Sequence, residues 1–116
     1  MRHRPALLVL LAVAIAGCET TLVPAQGSSC LRGDAAMCVD LASVENGLVA
    51  QAICLEVIGP STSFAPGLPC PLEGRVGSCG VIVPDARYDV VYYPSAFTLE
   101  TATVDCTSRG GVFRGP

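Results

Sequence analysis

Tryptophan and lysine are absent from this sequence, and its one histidine, His3, lies among the first four residues. Without Lys no Schiff base can form. Without a His beyond residue 3, the rest of the chain has no Ser-His-Asp or Cys-His arrangement and no His metal site. Charge is also scarce. Charged residues make up 15% of 116, against about 25% in an ordinary soluble domain, and hydrophobic residues reach 51%. That balance excludes long polar disordered segments, and the length fits one small domain. Ten carboxylates are present, but a glycosidase needs two of them about 5 to 9.5 Å apart in a sugar-binding cleft. A short chain with three Tyr and no Trp has little to build one from. The sequence therefore points away from an enzyme and from any cofactor.

What is present begins with an address. A basic start, Arg2-His3-Arg4, precedes an apolar run from Ala6 to Ala16, then Gly17 and Cys18. This is the pattern of a signal peptide covering residues 1–17. As a helix at about 1.5 Å per residue, the run falls well short of the ~30 Å hydrocarbon core, so it does not read as a permanent span. Its end, Ile15-Ala16-Gly17-Cys18, resembles the lipobox of bacterial lipoprotein precursors. That resemblance implies a diacylglycerol thioether on Cys18, cleavage before it, and acylation of the new amino group. Three acyl chains make an effectively permanent anchor, whereas one binds only marginally. Glu19 follows Cys18, where Asp signals inner-membrane retention in some bacteria, so the resemblance implies the outer membrane.

Beyond residue 17, five Arg (Arg32, Arg75, Arg87, Arg109 and Arg114) face all ten acids, so the mature chain carries 5 − 10 = −5. An acidic surface without a basic cluster argues against nucleic acid and against electrostatic attachment to anionic lipid. The partners expected are the membrane, through the lipid on Cys18, and an envelope protein or glycan. Six cysteines follow the lipidated one: Cys30, Cys38, Cys54, Cys70, Cys79 and Cys106. An even number in a short exported chain reads as three disulfides. The competing reading, a metal site, fails for want of a Cys-x-x-Cys pair or a mature-chain His.

Residues 18–29 read as a lipidated, turn-rich tether and 30–116 as the stapled domain. A helix is expected over about 43–57, with Ser43 as N-cap, Glu45 in the first turn, and Val44, Leu48, Ala52 and Leu55 along one face. Its weak point is Asn46-Gly47, which is also a hairpin signal. Residues 59–75, with four Pro and three Gly, can hold neither helix nor central strand and should form an irregular loop stapled by Cys70. From Val76 to Tyr93 the chain reads as two antiparallel strands around Pro84-Asp85. Cys79, Val81 and Val83 share one face, and Tyr88, Val90 and Tyr92 share another. A second helix is expected from Leu99 to Arg109, capped by Thr98, with Glu100 in its first turn, Phe97 packing on Ala102 and Gly110 as the left-handed stop. Its stripe of Leu99, Ala102 and Cys106 should face the sheet. Ala50-x3-Cys54-x4-Gly59 is echoed by Ala102-x3-Cys106-x4-Gly111, which suggests two matched helices on one sheet. The fold class is therefore α+β: a small disulfide-rich domain, with an antiparallel hairpin or small sheet packed with two helices.

Over residues 50–113 a second resemblance appears. Cys70-Pro71-x2-Gly74-Arg75-Val76-Gly77-Ser78-Cys79, then Tyr92-Tyr93, Thr98-x-Glu100-x-Ala102-x3-Cys106 and Gly110-Gly111-x-Phe113, resembles a pattern in uncharacterised small cysteine-rich bacterial lipoproteins. It implies no activity. It holds the last four cysteines and leaves out Cys30 and Cys38, which implies that these two pair with each other. Of the four, Cys79 with Cys106 would tie the sheet face to the helix stripe, leaving Cys54 with Cys70. Six cysteines allow fifteen connectivities.

Four features are candidate sites. Arg32-Gly33-Asp34 matches the integrin-recognition tripeptide, although Gly-Asp is ordinary turn chemistry. Asp85 and Asp89 flank the hairpin turn, too few oxygens for Ca²⁺. Tyr88, Tyr92 and Tyr93 form either an exposed aromatic patch or part of the core. Arg75-Val76, between Cys70 and Cys79, would offer a trypsin-like scissile bond if the protein were a small protease inhibitor. The economical alternative is a chain turning into a strand.

Overall fold

The computed structural model describes residues 26–116, so residues 1–17, Cys18 and most of the tether lie outside the described residues. Six strands and two helices follow one another as β1 (Ser29–Arg32), β2 (Met37–Asp40), α1 (Gly47–Val57), β3 (Thr62–Ala65), β4 (Gly77–Val83), β5 (Ala86–Tyr92), α2 (Leu99–Ser108) and β6 (Val112–Arg114). The strands form one antiparallel sheet in the order β3-β1-β2-β5-β4-β6.

That order is the same unit written twice. A hairpin, a helix and a return strand that pairs with the hairpin's first strand make β1-β2-α1-β3, and β4-β5-α2-β6 repeats it. The units meet where β2 pairs β5, with Val39 opposite Val90, and a pseudo-twofold axis normal to the sheet passes through that pair. Cys30 faces Val39 in its hairpin and Phe64 on the return strand; Cys79 faces Val90 and Phe113. The short echo in the sequence is thus a structural repeat. Ala50, Cys54, Ala102 and Cys106 are all buried, and the amides of Gly59 and Gly111 donate to the carbonyls of Cys54 and Cys106 at 3.3 and 3.1 Å.

Because the side-chain period of a strand is two, pairing register decides which cysteines can meet. In the first hairpin Leu31 lies opposite Cys38 and Cys30 opposite Val39. Cys30 and Cys38 therefore point to opposite faces and cannot bond each other. Cys30 bonds Cys54 of α1, and Cys38 bonds Cys70 of the loop on the other face. The expected Cys30–Cys38 and Cys54–Cys70 pairs are corrected accordingly, while Cys79–Cys106 joins sheet and helix as anticipated. All six are buried.

Both helices lie on the face carrying Cys30, Val39, Val90, Cys79 and Val81, where they close the main core with Leu41, Ile53, Tyr88 and Tyr92. The first helix begins later than expected. Asn46, not Ser43, is its N-cap, its Oδ1 accepting from the amides of Leu48 and Val49 at 2.9 and 3.2 Å, and Glu45 precedes the helix. The Cys54 bridge sets its rotation. Ala50, Ile53 and Cys54 turn inward, while the expected face is displaced, with Ala52 exposed and Leu48 and Leu55 exposed at 66% and 58%. The second helix starts and stops as expected. Thr98 caps it reciprocally with Thr101, and Gly110 takes φ +69°. Ala102 and Cys106 face the sheet, but Leu99, in the first turn, is exposed. In the 59–75 stretch, four residues form β3 at the sheet edge and the remainder is irregular.

Candidate functional site

The expected lipidation residue, Cys18, lies outside the described residues, but the point where the tether enters the domain is defined. Ser28 is buried: its carbonyl accepts from the Leu41 amide at 2.9 Å, and its Oγ accepts from the Gly67 amide at 3.0 Å. Folded structure thus takes in Ser28 and Ser29, at the end of the expected tether, and joins them to the start of the loop over 66–76. That loop crosses the sheet face opposite the helices. Cys70 holds it to Cys38, and the Tyr93 hydroxyl donates to the Pro71 carbonyl at 2.7 Å. Cys38, Cys70, Val91 and Tyr93 form a small second core beneath it, with Leu31 packed alongside.

Arg75 does not project from this loop. Its guanidinium donates back to the Pro71 carbonyl at 3.2 Å, and the Val76 amide donates to the Tyr92 carbonyl at 2.8 Å, extending the sheet. Residues 77 and 113 show why the chain must run flat here. A Cβ on Gly77 would lie 2.6 Å from the Arg114 carbonyl oxygen and closer still to the Phe113 ring.

Arg32 ends β1, Gly33 and Asp34 begin the turn to β2, and the Arg32 and Asp34 side chains bond each other. The Arg32 guanidinium donates to both Asp34 carboxylate oxygens, at 2.7 and 2.9 Å, and Asp34 also accepts from the Ala36 amide. The Arg32 hydrogen bond, then the Ala36 amide, hold the Asp34 carboxyl below its ordinary range. The Gly33 amide is bonded to the Ser61 carbonyl. The two side chains are closed on each other in a surface ion pair, with the Asp34 side chain 56% exposed.

Asp85 is exposed in the β4–β5 turn, whereas Asp89 accepts from Arg114 across the sheet at 2.9 Å. Among the described residues no group of three or more His, Cys, Asp or Glu is placed to hold a metal ion.

The three tyrosines are buried, so the aromatic patch is core rather than surface. Tyr88 and Tyr92 lie under the helices, and Tyr93 lies under the loop. Tyr92 carries a polar network that the sequence reading did not single out. Its hydroxyl donates to Asp105 at 2.6 Å, and Arg109 donates to the same carboxylate oxygen at 2.8 Å. An acid and a base four residues apart on the expected helix were the available signal. Burial pushes the hydroxyls of Tyr88, Tyr92 and Tyr93 all above the ordinary tyrosine range, and Asp105 pushes Tyr92 further.

These shifts give a pH dependence. Phenols whose folded-state values lie above about 10 contribute stability that is complete below that pH and is lost as pH rises through it. Each titrating Tyr then lowers stability by about 1.4 kcal/mol per pH unit. The urea midpoint of the oxidised protein should hold steady to about pH 9 and fall beyond about pH 10. Tyr92→Phe should make that fall shallower. A midpoint unchanged at about pH 11 would show that these hydroxyls are not buried.

The Asp105 carboxylate is engaged by Tyr92 and Arg109. An open hollow of about 280 Å³ lies beside the loop, its lining including Leu31, Pro71, Glu73, Tyr93 and Pro94. No described helix is long and apolar enough to cross a membrane. Neither protein-family models, curated proteins nor solved structures yield a match to this chain.

Proposed function

We propose that this is a lipid-anchored protein of the bacterial cell envelope, held at the outer membrane through Cys18. Its α+β domain serves as a structural or partner-binding module toward an envelope protein or glycan, and not as an enzyme. The observation that carries the reading is the division of the seven cysteines. The six after residue 29 are consumed by one another in three buried bridges, which an exporting, oxidising compartment supplies. The seventh closes the lipobox-like Ile15-Ala16-Gly17-Cys18 at the end of the apolar run. Protease inhibition by the Cys70 to Cys79 segment is disfavoured, because Arg75 is turned back onto its own loop.

Expressed in a bacterium with lipoprotein processing, the wild-type protein should partition into the detergent phase after extraction. Cys18→Ser should move it to the aqueous phase or leave an uncleaved precursor. A wild-type protein without acyl mass, or equal partitioning of the two proteins when both are cleaved to the mature length, would overturn the anchor.

A further inference from the structure

Resting on that lipid-anchored reading, we propose that the loop over 66–76 is the domain's membrane-contact surface, with Leu68 and Leu72 entering the headgroup boundary of the bilayer that holds Cys18. The tether favours the surface around its point of entry. Ser28 is ten residues beyond Cys18, a reach of at most about 35 Å when fully extended, and about 17 Å as a flexible chain. Its far end is not free to swivel over the domain. Ser28 Oγ is bonded to the Gly67 amide, one residue before Leu68. The lipid therefore keeps this loop at high effective concentration beside the bilayer, where even a weak contact is populated.

The loop's composition suits that place. Leu68 and Leu72 are 62% and 77% exposed, and residues 57–72 carry no charge; the loop's own two charges, Glu73 and Arg75, follow both leucines and are of opposite sign. An anionic headgroup layer repels an acidic face and tolerates an uncharged one, and exposed leucines gain by burial at the boundary. The Cys38–Cys70 bridge and the Tyr93 to Pro71 bond fix the loop's backbone, so little ordering cost accompanies contact.

The chain has no Trp, so one introduced Trp reports alone. Lipidated Leu68→Trp and Leu72→Trp proteins are reconstituted into phosphatidylethanolamine–phosphatidylglycerol vesicles carrying acyl-brominated lipid. Val104→Trp, at an exposed position of α2 on the opposite layer, is the comparison. Emission of the two loop variants should be blue-shifted on reconstitution and quenched about threefold or more over Val104→Trp. Quenching equal to that of Val104→Trp, in protein that floats with the vesicles and carries its acyl mass, overturns the membrane contact alone and leaves the loop to a protein partner. Protein that neither floats nor carries acyl chains overturns the contact and the anchored reading together.

Discussion

Reduction of all three disulfides should abolish the folded state of this domain at about 37 °C, and removal of any one should cost about 3.5 kcal/mol. The bridges close segments of 24, 32 and 27 residues, and in the chain-entropy model segments of that length restrict the unfolded state to similar extents. Losing three such contributions is comparable to the whole net stability of a typical domain, about 5 to 15 kcal/mol. The site of damage should differ with the bridge removed. Cys79→Ala with Cys106→Ala frees α2 from β4. Cys38→Ala with Cys70→Ala frees the loop and uncovers Tyr93 and Val91, while the helix-covered core keeps its other two bridges. Denaturant titration gives the magnitude, and amide exchange gives the location. Full stability in the reduced protein would show that packing alone suffices.

Gly111→Ala should be strongly destabilising, by about 3 kcal/mol, at the upper end for overpacking. A Cβ there would fall on Cys79 Sγ, 2.8 Å from the Gly80 carbonyl oxygen and 3.2 Å from Val81 Cγ2. A disulfide sulfur and a backbone carbonyl in a paired strand have no room to give way, so α2 and β6 would be levered off β4. Gly115→Ala, four residues on with nothing within 4 Å, should leave the midpoint unchanged. Equal stability of the two variants would contradict the close approach at residue 111.

Of the second half of the fold, β4, β5 and α2 are legible in the sequence because they are long and punctuated, whereas the three-residue β6 is not. β4 and β5 have seven residues each around Pro84-Asp85, and α2 carries both a Thr98 cap and a Gly110 stop. The first half repeats the same plan in weaker writing. β1, β2 and β3 have four residues each, too short for alternation to register against a helical reading. The missed hairpin misdirected the disulfides. With β1 and β2 unseen, nothing indicated that Cys30 and Cys38 point to opposite faces. The same blind spot rotated α1, since only the Cys30–Cys54 bridge says which side of that helix faces inward. Of the candidate sites, Arg32-Gly33-Asp34 was recognisable as turn chemistry. The shared Asp105 carboxylate was harder to foresee, because the hydroxyl that meets it comes from Tyr92, on a strand packed against the helix.

In the proposed lipoprotein, one cysteine takes lipid and six take each other. Intact-mass measurement of the unreduced protein, extracted from the envelope, tests both halves at once. The expected mass is that of a chain beginning at Cys18, increased by a diacylglycerol and an amide-linked acyl chain and reduced by six hydrogens. A mature chain without acyl mass, or one that retains hydrogens on its thiols, would contradict it.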